Sequence, residues 1–372
     1  MITIVTATTK KQMRDFVYFP FTLYKNNPYW IPPLISDELQ TFDPKLNPIF
    51  ESASAHFYLA YQNGKLVGRI AAIINWDEVQ NLGKKKMRFG WFDVIDDIAV
   101  TEALLAKITE IGKKNNLDHI EGPMGFSNLD KVGLLTEGFN EIGTMITWYN
   151  HPYYVQHLEK LGFLKEKEYI ESYFSFSGVD PTPFQRGAEM VKKRYKLNAV
   201  NYTSTQEVIN RVDELFDLFN AAYASLSSFV AVTEKQKAFF KNKYMGMINP
   251  EYIKFVEDES GKMVAFTIVM PSFTSALKKS NGRMFPFGFL HFLKAKIKND
   301  EVVFFLIGIH PEYQNKGVTA IIFDEYYKSF TKNGVKTCIR TPELEENHAI
   351  HNLWKHFNPE IYKRRRTYTK PI

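Results

Sequence analysis

Apolar and polar positions fall into two long stretches with the same rhythm. In the first, the apolar runs His56 to Tyr61 and Lys65 to Ile74 flank Asn63-Gly64. Strand-length runs separated by Asn-Gly, the preferred two-residue turn, predict a β-hairpin. In the second, Tyr252 to Glu257 and Lys262 to Met270 flank a polar turn at Asp258 to Gly261. Each hairpin is followed by another apolar strand, Arg88 to Val94 and Val302 to Ile309. Helical patterns come next, Ile98 to Asn115 and Val318 to Asn333. A strand (His119 to Gly122; Lys336 to Arg340) and a second helix (Tyr153 to Leu161; Asn347 to His356) complete the correspondence. A final strand closes each half, Tyr169 to Phe176 and Tyr362 to Thr369. Two α+β units with the same element order are the simplest reading.

The join falls near Gly178, Pro181 and Pro183, where glycine and proline interrupt the pattern and a helix starts at Pro183. That division gives domains 1–178 and 179–372. The second opens on a strand near Leu197 to Tyr202, and Thr205 is expected to cap a helix from Gln206 to Ser225.

Chemistry concentrates where the strand Val302 to Ile309 empties through His310-Pro311 and a short polar loop, Tyr313-Gln314-Asn315-Lys316-Gly317, into the helix near Val318. A strand that enters a helix N-terminus through a tight loop leaves backbone N–H groups pointing outward. Such groups suit a phosphate or pyrophosphate. His310 and Glu312 flank the loop, and either is of a type that deprotonates an amine.

Composition narrows the class. The chain has 372 residues, 45% hydrophobic, with 31 Phe and 20 Tyr, so large cores can form. A single cysteine, Cys338, excludes an internal disulfide and a CxxC metal site and fits a reducing cytoplasm. The N-terminus lacks a charged segment followed by an apolar one, so no signal peptide is expected. No apolar run reaches about 18 residues, so no membrane span is expected. The net charge of +6 gathers partly in Lys84-Lys85-Lys86, Lys192-Lys193-Arg194 and Lys363-Arg364-Arg365-Arg366. These runs read by preference as solvated surface, with an electropositive rim for an anionic ligand as the alternative, and the charge alone does not make the chain a nucleic-acid binder.

The segment Gly122 to Asn150 is long for a connection and mixes apolar residues with Asn128, Asp130 and Glu137. It reads either as a substrate-binding loop with those three as polar anchors or as inter-domain packing. Asp93, Asp96 and Asp97 read as acids at a helix N-terminus. The histidines show no zinc spacing, and no metal site is expected. The insertion Pro271 to Asp300, aromatic and then basic around Phe285 to Lys298, reads as a lid, a membrane-surface helix, or, by preference, a plug between the halves.

This order resembles the GCN5-related N-acetyltransferase (GNAT) fold, whose pyrophosphate loop reads Q/R-x-x-G-x-G/A. Gln314, Gly317 and Thr319 take those places, with Thr departing from the pattern. Glu345 to Trp354 is similar to the family's second motif, in which an Asn, here Asn347, opens the helix and contacts the acyl-CoA arm. Trp354 stands where the family's acid Tyr is usual. In the first half Leu158 takes that place, and Ile95-Asp96-Asp97 runs straight into a helix without a glycine loop. The resemblance over nearly the whole chain is closer to a group of bacterial tandem GNAT-like proteins. It rests on phrases such as Pro28-Tyr29-Trp30 with Ile31-Pro32-Pro33, and Phe285-Pro286-Phe287-Gly288.

The resemblance implies two tandem α/β (α+β) domains, each a mixed, mostly antiparallel twisted sheet flanked by helices, with a cofactor site only in the second. It implies acetyl-CoA or another acyl-CoA as co-substrate. Ile307 and Ile309 would hold the pantetheine arm, the backbone of Gln314, Asn315, Lys316, Gly317, Val318 and Thr319 the pyrophosphate, and Asn347 the acyl arm. The acceptor would be a primary amine on a small molecule or peptide. With Trp354 unable to supply a proton, Tyr362 and Tyr368 join His310 and Glu312 as catalytic candidates by residue type. Two alternatives stay open: a tandem-GNAT aminoacyl transferase that uses charged tRNA, and a non-catalytic CoA-binding scaffold.

Overall fold

In the computed structural model, which describes residues 1–224, 229–244 and 246–372, thirteen strands share one sheet. The first half supplies β1 (Ile2–Thr6), β2 (Ala53–Gln62), β3 (Lys65–Asn75), β4 (Lys86–Val94), β5 (His119–Gly122), β6 (Leu134–Glu137) and β7 (Leu164–Ser175). The second supplies β8 (Asn198–Val200), β9 (Ile253–Glu257), β10 (Met263–Pro271), β11 (Glu301–Ile309), β12 (Thr337–Leu344) and β13 (Glu360–Pro371). The order is β1-β2-β3-β4-β5-β13-β7-β12-β11-β10-β9-β8, with β6 on β13. Neighbours run antiparallel except β4 with β5 and β11 with β12.

Both faces of the sheet are covered, which explains why its strands read as continuous apolar runs. Along β3, Ile70, Ala72 and Ile74 face the helix Ile98–Lys114 through Val100, Leu104 and Ile108. Ala71 and Ile73 face the helix Lys10–Leu23 through Phe16 and Val17. The second half repeats this. Ala265 and Val269 of β10 meet Ile321 and Ile322 of the helix Thr319–Asn333. Phe266, Ile268 and Met270 meet Leu215 and Phe219 of the helix Val212–Tyr223.

The order is palindromic about the β13–β7 pair, and that pair corrects one expectation. Neither half is closed by its own last strand. β13 pairs with β5 of the first half, and β7 pairs with β12 of the second. The basic run is corrected with it. In an extended strand alternate side chains point to opposite faces, so Lys363 and Arg365 are buried, each 1% exposed. Both meet Glu171 of β7, itself fully buried, Lys363 at 3.7 Å. Arg364 and Arg366 point the other way, to Glu345 at 2.6 Å and Glu168 at 2.9 Å. Lys86 is likewise buried, 3.0 Å from Glu121.

Two local expectations also shift. The helix expected over Gln206 to Ser225 is broken into Thr205–Ile209 and Val212–Tyr223, and its cap is Ser204, which accepts from Glu207 N–H in a capping box. Ser225 lies outside the described residues. The insertion forms helices Thr274–Ser280 and Gly288–Ile297. Phe273, Leu277 and Phe292 do pack between the halves against Ile31 and Leu34. Phe285 and Phe287, in contrast, point outward at 79% and 71% exposure, so the aromatic part is no plug. Among the described residues no helix is long and apolar enough to cross a membrane.

Candidate active site

The β11 loop has the backbone its glycine suggests. Gly317 takes φ +76° and Asn315 φ +60°, which turn the chain into the helix Thr319–Asn333. The helix starts at Val318 without a side-chain cap. Ala320 and Ile321 donate to Gly317 and Val318 carbonyls, whereas the N–H groups of Asn315, Gly317, Val318 and Thr319 have no acceptor among the described residues. They lie at the positive end of the helix dipole, Asn315 and Gly317 on an exposed loop, Thr319 half-buried and Val318 buried. A cationic rim adjoins them. Lys316 lies 5.0 Å from the Tyr313 ring and 5.3 Å from that of Tyr195. Tyr195 ends the helix Thr182–Tyr195, whose Val191 would sit 3.2 Å from any Cβ at position 317.

Beside the loop the sheet opens. β11 and β12 pair only from Glu301 with Thr337 to Phe304 with Arg340, after which no partner residues match. β12 turns away through an irregularity between Arg340 and Glu343. The outer part of β11 stays paired with β10, and its β12-facing backbone is left to other groups. Ile309 O accepts from the Gln314 side chain at 3.2 Å. Ile307 O accepts from the Tyr223 hydroxyl at 2.9 Å. Burial pushes the Tyr223 hydroxyl up to about 12, so it keeps its proton at neutral pH.

The opposite wall carries Glu343. Its carboxylate is met on both oxygens by Arg340, by Trp354 Nε1 at 3.0 Å, and by His351 Nδ1 at 3.7 Å. Burial holds Glu343 above the usual carboxylate range against the pull of Arg340. With three donors in hydrogen-bond reach, two from Arg340 and one from Trp354, it acts as a strut that orients both side chains. His351 Nε2 lies 3.0 Å from Leu344 O and 3.1 Å from Glu345 O, so that nitrogen carries the proton. Trp354 thus has a positioning place on the wall.

The equivalent place in the first half is filled. β4 and β5 also part after Arg88 and Glu121, but Met124 N–H donates to Phe89 O at 2.8 Å inside the gap. A Cβ at Gly90 would lie 2.4 Å from Met124 O. At the strand end, Val94 N–H donates to the Tyr154 hydroxyl at 2.9 Å, and the Tyr153 hydroxyl donates to Val94 O at 2.6 Å. Asp97 then caps the helix Ile98–Lys114 by accepting from Ala99 N–H at 2.9 Å.

A narrow cleft lies between the halves. One side is Ser127 to Asp130 with Thr41, and the other is Phe219, Phe239, Phe240 and Lys243. Burial raises the Asp130 carboxyl although Ser127 donates to it through N–H at 2.9 Å and hydroxyl at 3.2 Å. Lys243 donates to the Thr41 hydroxyl at 3.0 Å. The cleft adjoins the strand opening, because Phe219 on its wall packs 4.5 Å from the Tyr223 ring.

Of the residues singled out in the sequence, Ile307, Ile309, Gln314, Asn315, Lys316, Gly317, Val318 and Thr319 meet at the loop and opening. Asn347 caps the helix His348–Trp354, accepting from Ile350 N–H at 3.3 Å. His310 and Glu312 stay on the loop, where His310 Nδ1 accepts from Glu312 N–H at 3.4 Å. Asn128 and Asp130 line the cleft, and Glu137 does not; it lies on β6 near Arg364, at 3.5 Å. Tyr362 packs edge-on against Tyr173 at 5.4 Å. Tyr368 lies in the first half's core, paired with Gly122, away from the loop. Tyr223, Arg340, Glu343 and His351 were missed. The only trace of Tyr223 in the sequence is its place at the end of an amphipathic helix.

No family model matches the sequence. A protein named YghO from Escherichia coli (strain K12) is 26% identical over 374 residues, covering 99% of this chain and 95% of that protein. A protein named bacterial ceramide synthase from Caulobacter vibrioides (strain NA1000 / CB15N) is 23% identical over 379 residues, covering 100% of this chain and 98% of that protein. Among solved structures, a tandem GNAT protein from the clavulanic acid biosynthesis pathway superposes with a TM-score of 0.58 at 12% identity, covering 100% of this chain and 98% of that one. In fold, the chain is a tandem protein of the GCN5-related N-acetyltransferase type.

Proposed function

We propose that the chain is an N-acyltransferase that moves an acyl group from acyl-CoA to a primary amine, with the cofactor site in residues 179–372 and none in residues 1–178. One observation carries this reading: the gap between β11 and β12 opens beside a loop with unpaired N–H groups. The pyrophosphate would lie on the N–H groups of Asn315, Gly317, Val318 and Thr319. The pantetheine arm would run along Ile307 and Ile309, and Asn347 would face the acyl arm.

The amine enters from the cleft. Asp130, with its raised proton affinity, binds it and takes up a proton, leaving the neutral nucleophile that attack on a thioester requires. Nitrogen bonds to the carbonyl carbon, the C–S bond breaks and the leaving thiolate takes the proton of the Tyr223 hydroxyl. The second proton lost from nitrogen as the amide forms restores that hydroxyl, and Asp130 gives its proton to solvent. Tyr223 takes the acid role that Trp354 cannot fill. The aromatic lining of the cleft suits an acceptor with a hydrocarbon chain. The relative named ceramide synthase supports this, since a ceramide is a long-chain amino alcohol acylated on nitrogen.

Calorimetry with acetyl-CoA and a long-chain acyl-CoA tests the reading. Binding in the micromolar range supports it. No heat at millimolar ligand, with the protein folded, refutes it.

A further inference from the structure

The helix Gly288–Ile297 is apolar on two sides. At about 100° per residue, Gly288, Phe292 and Ala295 share one face, and Leu290, Leu293 and Ile297 share the opposite one. The first face is anchored: Phe292 stacks on Phe273 with ring centroids 5.5 Å apart. The second is exposed, with Leu290 at 51%, Leu293 at 50% and Ile297 at 80%. Phe285 and Phe287 extend this surface at the helix's N-terminal end, and all five side chains belong to one short segment. Scattered exposed apolar residues are ordinary, but a contiguous group on one anchored helix marks a contact surface.

Charge selects the partner. Residues 272–299 contain six Lys or Arg and no Asp or Glu. Lys279, Arg283, Lys294 and Lys298 are exposed around the apolar strip. A second copy of the chain would set this cationic border against itself. An anionic bilayer surface satisfies both features, since the apolar side chains enter the acyl boundary and the cations meet the headgroups. We infer that this face is a docking surface for an anionic membrane. The same helix touches the chain two residues beyond Tyr244 of the cleft wall, where Lys296 donates to Gly246 O at 2.9 Å. Docking would therefore hold the cleft near the bilayer, a consequence that rests on the acceptor reading, whereas the docking itself does not.

Vesicle sedimentation without substrate tests it, using the full chain with phosphatidylcholine vesicles and with vesicles in which a quarter of the lipid is phosphatidylglycerol. The expected result is about tenfold stronger partitioning onto the anionic vesicles. Leu290→Ser, Leu293→Ser and Ile297→Ser combined should abolish it with an unchanged melting curve. Lys294→Glu with Lys298→Glu should abolish the anionic preference. Three results would overturn the inference: no binding to either vesicle, equal binding to both, or triple-variant binding equal to wild type. A concentration-dependent dimer that the triple variant dissolves would also overturn it by giving the face to a second copy.

Discussion

The Tyr223 hydroxyl donates to Ile307 O at 2.9 Å, joining the end of one helix to the outer half of a strand 84 residues away. This bond lies where β11 and β12 have parted, on the carbonyl that β12 no longer reaches. Tyr223→Phe removes the hydroxyl and leaves the ring on Phe219. We expect kcat to fall by roughly 10²–10⁴-fold, the usual range for a positioned acid, with affinity for CoA within a few-fold of wild type. Steady-state kinetics together with calorimetry separates the two. Unchanged kcat would remove Tyr223 from the chemistry.

Gly317→Val places a branched side chain at φ +76° and 3.2 Å from Val191. The strain should cost about 1–2 kcal/mol of stability. It should also raise the dissociation constant for CoA by at least about tenfold, since the N–H groups must shift. Titration calorimetry and urea denaturation report the two effects.

Arg365 and Lys363 both depend on Glu171 at the junction of the exchanged strands. Arg365→Met leaves a buried carboxylate with a single, longer-range partner. Unfolding free energy should drop by about 3–5 kcal/mol. Because β13 and β7 bind the halves together, the loss should appear as one cooperative transition shifted downward in a urea melt.

Burial lowers the Lys254 ammonium to about 8, although it donates to Asn201 and Ser329, each at 2.7 Å. Between about pH 8 and the ordinary lysine value near 10.4 the unfolded chain binds more protons than the folded one, so stability rises with pH there. The contribution is about 1.4 kcal/mol per pH unit. Lys254→Met should flatten that rise, as read from urea melts at pH 8 and 9.5.

Much of the fold was legible because it is written in local patterns. Asn63-Gly64 announces the first hairpin, and the run from Val302 through Gly317 announces the strand, loop and helix that hold the site. The repeat fixed which elements correspond. The exchange of β7 and β13 was not legible, since either strand can pair locally and only the assembled sheet selects partners so distant in sequence. The same blindness made Lys363 to Arg366 read as solvated surface. A strand buried on one side hides every second residue, and charge alone does not say which side is covered. Tyr223 and Glu343 were missed for a related reason. Each matters through a contact with distant backbone or side chains, and neither lies in a motif. Asp130, in contrast, stood out in a segment too long to be a simple connection.

The most direct measurement is a crystal structure of the full chain with CoA bound. The expected result is pyrophosphate on the N–H groups of Gly317 to Thr319 and the pantetheine arm between β11 and β12, its thiol end toward Tyr223. CoA in the β4–β5 gap, or anywhere that leaves the β11–β12 opening empty, would contradict it.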